Sequence, residues 1–222
     1  MNLNFCINYR TPWGQSMCVI SDNPVVGWTD EHPLVLDCQG GDFWTLTAPV
    51  TDFAGVLRYK YAILLEDGHI LPEAGNWREI ELQNNNAKLV LHDFWQVDDY
   101  EKAFYSTAFQ KALFHRHNAK ARKAEKRGNL HFSIDLPQIL PTQGVAVIGN
   151  IPELGNWQTE DKLPLCDCKF PIWHVSIQVE PDQVIEYKYV IYDLKSGKVI
   201  DTEWGENRQV WGLSKGVTVM QN

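Results

Sequence analysis

Apolar and polar side chains alternate over short stretches along most of the chain. Trp173, Val175, Ile177 and Val179 fall on one side of such a run, with His174, Ser176 and Gln178 on the other, the period-2 pattern of a strand with one face buried. Leu57, Tyr59, Tyr61 and Ile63 repeat it, as do Ile185, Tyr187, Tyr189 and Ile191. Turn-forming pairs such as Asn23-Pro24, Gly40-Gly41, Asp67-Gly68, Ile151-Pro152 and Ser196-Gly197 punctuate these runs, at intervals that suit short strands. One segment follows a different rule. Asp98 and Glu101 have the spacing of a helix-starting capping box, and Tyr100, Phe104, Ala108 and Ala112 recur every four residues, which predicts a helix.

The alternating regions are copies of one another. Gln15 to Gly27 matches Gln143 to Gly155 at a constant offset of 128, with Val19-Ile20 on Val147-Ile148 and Pro24 on Pro152. One inserted residue, Asn156, then moves the offset to 129, pairing Trp28 with Trp157 and Trp44 with Trp173. Tyr59-Lys60-Tyr61 meets Tyr187-Lys188-Tyr189, and Glu73, Gly75 and Arg78 meet Glu203, Gly205 and Arg208. An internal repeat of this length means two copies of one fold. About seven or eight short strands per ~95 residues then predict a sandwich in each. The expected fold class is all-β: two immunoglobulin-like antiparallel β-sandwiches, residues 1–95 and 129–222, joined by a basic helical linker, residues 96–128.

Composition narrows the function. The net charge of −8 over 222 residues has the wrong sign for a protein whose affinity comes from neutralising phosphates, so nucleic acid is not an expected partner. No apolar run approaches the roughly 20 residues of a membrane span, and Met1 to Arg10 lacks the basic start and apolar core of a secretory signal. A cytoplasmic protein without a membrane partner is expected. The basic run between Gln110 and Gly128 sets Lys111, Arg116, Lys120, Arg122, Lys123, Lys126 and Arg127 against Glu125 alone; it reads as a solvated linker face. The cysteines, Cys6, Cys18, Cys38, Cys166 and Cys168, are odd in number and lack Cys-x-x-Cys spacing, which disfavours a zinc ribbon or a disulfide framework. Cys166 and Cys168 share one face of a strand, where a metal or redox pair competes with plain reduced thiols; the thiols are preferred, and neither a metal nor a cofactor is expected. The carboxylate pairs Asp98-Asp99 and Glu203/Glu206 sit at a helix start and in a loop, where capping and solvation account for them. With no Gly-x-Ser-x-Gly motif either, no catalytic residues are expected.

The aromatic content carries the positive signal, with nine Trp, eight Tyr and nine Phe. Trp44 and Trp173 belong to alternating runs and are expected in the cores. Trp28 and Trp157 each follow a turn and stand outside any alternating run, and are expected at the surface as stacking platforms. Lys60 and Lys188 lie between inward tyrosines and therefore point to the outer face of their strands. Indole for an apolar face, with ammonium and amide groups for hydroxyls, suits a pyranose ring, whose faces carry C–H bonds and whose rim carries hydroxyls.

Val147-Ile148-Gly149-Asn150-Ile151-Pro152-Glu153-Leu154-Gly155-Asn156-Trp157, then Trp173, Glu186-Tyr187-Lys188-Tyr189 and Glu203 to Arg208 together resemble carbohydrate-binding module family 20, the starch-binding domains. The likeness spans almost all of residues 129–222. The first copy resembles the family more loosely: Trp13-Gly14-Gln15 is typical, but Val25-Val26-Gly27-Trp28 replaces Leu-Gly-Asn-Trp. Two such modules in tandem resemble the N-terminal part of the disproportionating-enzyme-2 type 4-α-glucanotransferases, in which a glycoside hydrolase family 77 barrel follows. The resemblance implies that the chain stops near the last strand of a longer protein, the second copy reaching only Val217-Thr218-Val219 before Asn222. A (β/α)₈ barrel typically needs ~250 residues and alternating helices, which these residues do not supply.

The resemblance also implies site residues. In the second copy they are Trp157, Lys188 and, three rather than the family's usual five residues before Asn207, Trp204, with Glu203 and Asn207 as hydroxyl partners. In the first copy they are Trp28 and Lys60; Pro72 and Ala74 occupy the positions of Thr202 and Trp204 and Trp77 aligns with Asn207, which means either a stacking surface relocated to Trp77 or a lost site. The family's second site implies Trp13; its counterpart in the second copy is Pro141, with Phe170 either a remnant of that site or a buried residue. The expected function is non-catalytic binding of α-1,4-glucan polymers or oligosaccharides, targeting a 4-α-glucanotransferase domain outside this chain. The alternative is an interaction sandwich, including a homo-oligomer, whose sugar sites are silent.

Overall fold

The structure is a computed structural model in which residues 1–50, 53–82, 88–96, 128–211, 213–214 and 217–221 are described. The chain divides into two units, Met1–Tyr100 and Glu101–Asn222. The expected helix and basic run, residues 97–127, lie outside the described residues.

In the first unit, β1 (Asn2–Asn8) lies between β5 (Phe43–Pro49) and β9 (Lys88–Phe94), and β4 (Asp37–Gly40) extends the sheet beyond β5. The opposing sheet runs in the order β3 (Leu34–Val35), β2 (Ser16–Ser21), β6 (Gly55–Leu64), β7 (Ile70–Pro72), with β8 (Arg78–Leu82) also paired to β6. The sheets meet through aromatic side chains that alternation turns inward. Phe5 of β1 stands edge-on to Tyr59 and Tyr61 of β6, at 5.3 and 6.3 Å between ring centroids, a geometry that sets the positive ring edge against a neighbour's negative face.

The second unit repeats this plan. One sheet runs in the order β13 (Cys166–Lys169), β14 (Ile172–Ile177), β10 (Leu130–Asp135), β18 (Val217–Gln221), and the other β12 (Leu163–Pro164), β11 (Gln143–Gly149), β15 (Ile185–Asp193), β16 (Val199–Thr202), with β17 (Arg208–Val210) on β15. Phe132 meets Tyr187 across the sandwich at 4.8 Å. Trp44 and Trp173 are buried as alternation requires, each donating its indole N–H to a backbone carbonyl, of Tyr9 and Leu136 respectively.

The all-β class is thus realised, and among the described residues the pairing within each unit is antiparallel except at one place. β1 pairs β9 in parallel and β10 pairs β18 in parallel. These strands open and close their units, so no hairpin joins them and no tight turn forces them to run in opposite directions.

The first core also contains charge. Arg78 bonds Glu73 through two nitrogens at 2.9 Å each and reaches Asp93 at 3.4 Å. Glu73 and Asp93 are almost fully buried. Tyr59 and Tyr61 donate their hydroxyls to Asp93 at 2.8 and 3.0 Å, and the backbone N–H groups of Tyr61 and Gln96 donate to Glu73. Buried carboxylates persist only with partners of this kind. Burial opposes the Arg78 cation, but Asp93 and Glu73 outweigh it and hold it protonated. Burial, and after it the Asp93 charge, pushes both phenols well above their ordinary range.

Candidate functional site

The loop after β11 decides where its tryptophan goes. Asn150 holds the start of that loop, its backbone and side-chain groups bonding Glu186 and Val184 of the neighbouring segment. Gly155, Asn156 and Trp157 then take successive left-handed conformations, with φ of 75°, 47° and 65°. Such a run is costly for residues bearing a Cβ and marks a loop held by its surroundings. It delivers Trp157, half-buried, to the outer face of the sheet, where it packs on Ala146, Ile148 and Val190. Ile148 is the register partner of Lys188, so indole and lysine share that face as expected.

The first unit corrects the expectation for Trp28. Its loop is one residue shorter and only Gly27 is left-handed. Trp28 donates nothing to the surface: it is buried, with its ring edge-on to Phe5 at 5.7 Å. The residue that fills the core from this loop is Trp28 in the first unit and Leu154 in the second. The absence of a residue equivalent to Asn156 is the physical reason, and the change of repeat offset at that point is the available sequence signal.

The loops after β7 and β16 share a second device. Lys60 donates its ammonium to the carbonyls of Glu73 and Gly75, and Lys188 to those of Glu203 and Gly205. Both lysines point outward as expected, but their ammonium groups grip a loop instead of standing clear. In the second unit the gripped loop presents Trp204 fully exposed. In the first, Trp77 is half-buried with the Lys60 nitrogen 5.6 Å from its ring centroid, within cation–π range.

Glu203 also needs correcting as a hydroxyl partner. Its carboxylate is engaged by Arg208 Nε at 2.7 Å, by a second Arg208 nitrogen, and by the backbone N–H of Tyr189, so it braces the loop from within. Asn207 is exposed and donates to Glu186 at 3.1 Å, which also accepts from Gln209. Gln209 in turn accepts from the indole N–H of Trp211, a partly exposed ring with no sequence signal, because it follows a strand too short to show alternation. An apolar cleft of about 270 Å³ lies beside Trp204, lined by Ile134, Leu136, Val145 and Ile191 among others. Trp13 is fully exposed in its turn, while Pro141 is exposed and Phe170 packs edge-on to Trp173 at 6.4 Å.

Outward indoles on a sandwich, flanked by lysine and amide groups, define a module for a ligand with flat apolar faces and a polar rim. The second unit is a starch-binding domain of carbohydrate-binding module family 20: the family model described as "Starch binding domain" matches residues 129–220. Along its length the chain is similar to 4-alpha-glucanotransferase DPE2 of Oryza sativa subsp. japonica, 28% identical over 229 residues, covering 94% of this chain and 24% of the relative. A cyclomaltodextrin glucanotransferase of Klebsiella oxytoca is 28% identical over 83 residues, covering 36% of this chain and 12% of that protein. Among solved structures, the family 20 module of a maltotetraose-forming amylase from Pseudomonas saccharophila STB07 is 25% identical with a TM-score of 0.36, covering 42% of this chain and 98% of that one. The chain thus spans about a quarter of the length of the rice relative. Among the described residues no helix is long and apolar enough to cross a membrane.

Proposed function

We propose that this chain is a tandem, non-catalytic α-glucan-binding unit that brings a 4-alpha-glucanotransferase domain, lying outside these residues, to its polymer. The observation that carries the reading is the outer face of β15, where Trp157 packs beside the strand position of Lys188 and the ammonium of Lys188 ties down the loop that exposes Trp204. Glucose rings stack on these indoles while Asn207 and the loop's polar groups meet hydroxyls. Trp77 beside the Lys60 ammonium forms the corresponding surface of the first unit, and Trp13, fully exposed in its turn, offers a second, separate contact. Similarity to the rice glucanotransferase over nearly the whole chain supports both the tandem arrangement and the catalytic partner. The five cysteines, read as reduced, suit a reducing, cytoplasmic compartment.

Each shallow site binds weakly, and the tether makes the second contact intramolecular, which raises overall affinity by ~10² or more where both reach one polymer. In native gels containing amylopectin or glycogen the protein is retarded. Trp157→Ala and Trp204→Ala each weaken retention about tenfold, the equivalent of ~1.4 kcal/mol, and Trp77→Ala weakens what remains. Unaltered migration of the wild-type protein, or a dimer that β-cyclodextrin neither binds nor disturbs, overturns the reading in favour of an interaction sandwich.

A further inference from the structure

The outer face of the β13–β14 hairpin carries a cluster that glucan binding does not use. Cys166 and Cys168 lie on β13 and His174 on β14, with Cys166 the register partner of His174. On a regular strand, residues two apart are separated by about 6.8 Å along the chain. Here the register shifts between Cys166 and Lys169, and the two sulfurs and the imidazole nitrogen all lie within 4.8 Å of one another. An irregularity of this kind re-aims side chains. It has converted two parallel thiols into a converging set.

The distances suit a particular chemistry. Zinc takes sulfur at about 2.3 Å and imidazole nitrogen at about 2.0–2.1 Å, so tetrahedral geometry requires an S···N separation of about 3.6 Å and an S···S separation of about 3.8 Å. Cys168 Sγ and His174 Nε2 stand 3.6 Å apart. The backbone N–H of Cys168 donates to Cys166 Sγ at 3.3 Å, an outer contact of the sort that orients metal-bound thiolates. Two sulfurs and an imidazole are soft and borderline donors; they favour zinc(II) over calcium or magnesium, which want oxygen. Cys168 is exposed and the other two residues are half-buried, so the ion has an entry path and a fourth position open to water.

We propose that Cys166, Cys168 and His174 form a three-ligand zinc site on the edge hairpin of the second unit, in place of the reduced, metal-free thiols expected from sequence. The ion bridges β13 to β14 where their regular pairing is interrupted, and fastens the edge strand of the sheet. The site stands independently of glucan binding.

The test uses the whole 222-residue chain, reduced and stripped of metal. Titration with zinc chloride gives one tight equivalent, and cobalt(II) in its place gives thiolate-to-cobalt charge-transfer absorption with the intense visible bands of a tetrahedral site. Cys166→Ser, Cys168→Ser and His174→Ala each weaken zinc by about tenfold or more, while Cys38→Ser leaves it unchanged. Far-ultraviolet dichroism and amylopectin retention check that the variants fold. Zinc at a hundredfold excess over the wild-type dissociation constant raises the folded-to-unfolded ratio about a hundredfold in wild type, and by about tenfold or less in Cys168→Ser. No zinc binding, binding unchanged in the cysteine variants, or cobalt spectra without a thiolate band overturns the site.

Discussion

Trp28 and Trp157 occupy matched positions in the repeat and do opposite work. Trp28→Ala removes a ring packed on Phe5, and deletions of this size cost about 3–5 kcal/mol; urea unfolding should show the first unit destabilised by that order. Trp157→Ala, on an outer face, should cost far less stability and register instead in glucan retention. Equal destabilisation by both would mean that Trp157 is a core residue. The paired tryptophans were legible in the sequence, but their directions were not, because a one-residue change in loop length is a backbone event that residue type does not encode. Lys60 and Lys188 were legible in direction through strand alternation, yet their carbonyl partners arise from loop geometry that no spacing rule reveals. Buried thiols give a pH prediction at this scale. Burial pushes Cys6 and Cys18 from 9.0 up to about 12. Their contribution to stability is intact below pH 9 and is lost as pH rises from about 9 to about 12, because the unfolded thiols release protons that the folded ones keep. Each thiol contributes up to about 1.4 kcal/mol per pH unit. Urea midpoints should fall through that window and fall less steeply in Cys18→Ala; an unchanged slope would assign the loss to Tyr59 and Tyr61.

The same pair of loops shows how elements diverge around a shared frame. Glu73–Arg78 and Glu203–Arg208 are equivalent ion pairs, but the first is deeply buried and joined by Asp93, whereas Arg208 and Glu203 retain 20% and 24% of their side-chain exposure. Removing one partner of a buried pair leaves an uncompensated charge, at about 3–5 kcal/mol. Arg78→Ala should therefore unfold the first unit at markedly lower urea, and Arg208→Ala should lower stability by about 1 kcal/mol, nearer the range of exposed pairs. Comparable losses in both would refute the assigned difference in burial. The repeated Glu and Arg are visible in the sequence as part of the repeat, and the family resemblance alone points Glu203 toward a ligand. Its inward role becomes apparent only when the β15 backbone N–H of Tyr189 is seen to need an acceptor.

For the whole molecule, alternation and repetition were sufficient to foresee an all-β chain of two sandwiches, since inward aromatics on β6 and β15 fix which face of each sheet is core. The parallel closure of β1 on β9 and of β10 on β18 was not foreseeable, because alternation says which face is buried and nothing about which neighbour a strand takes. Calorimetry with β-cyclodextrin should count more than one site per chain if the Trp77–Lys60 surface works, and Trp77→Ala should lower that count without changing the affinity of the remaining site. A count of one in both proteins would leave the first unit without a role in glucan capture. The lysine clamps have an evolutionary corollary. Because they hold main-chain oxygens, which any residue supplies, the position between them can carry Ala74 in one copy and Trp204 in the other without unseating the mount. Duplication of such a chassis lets one copy explore new guests while its sibling keeps the old one.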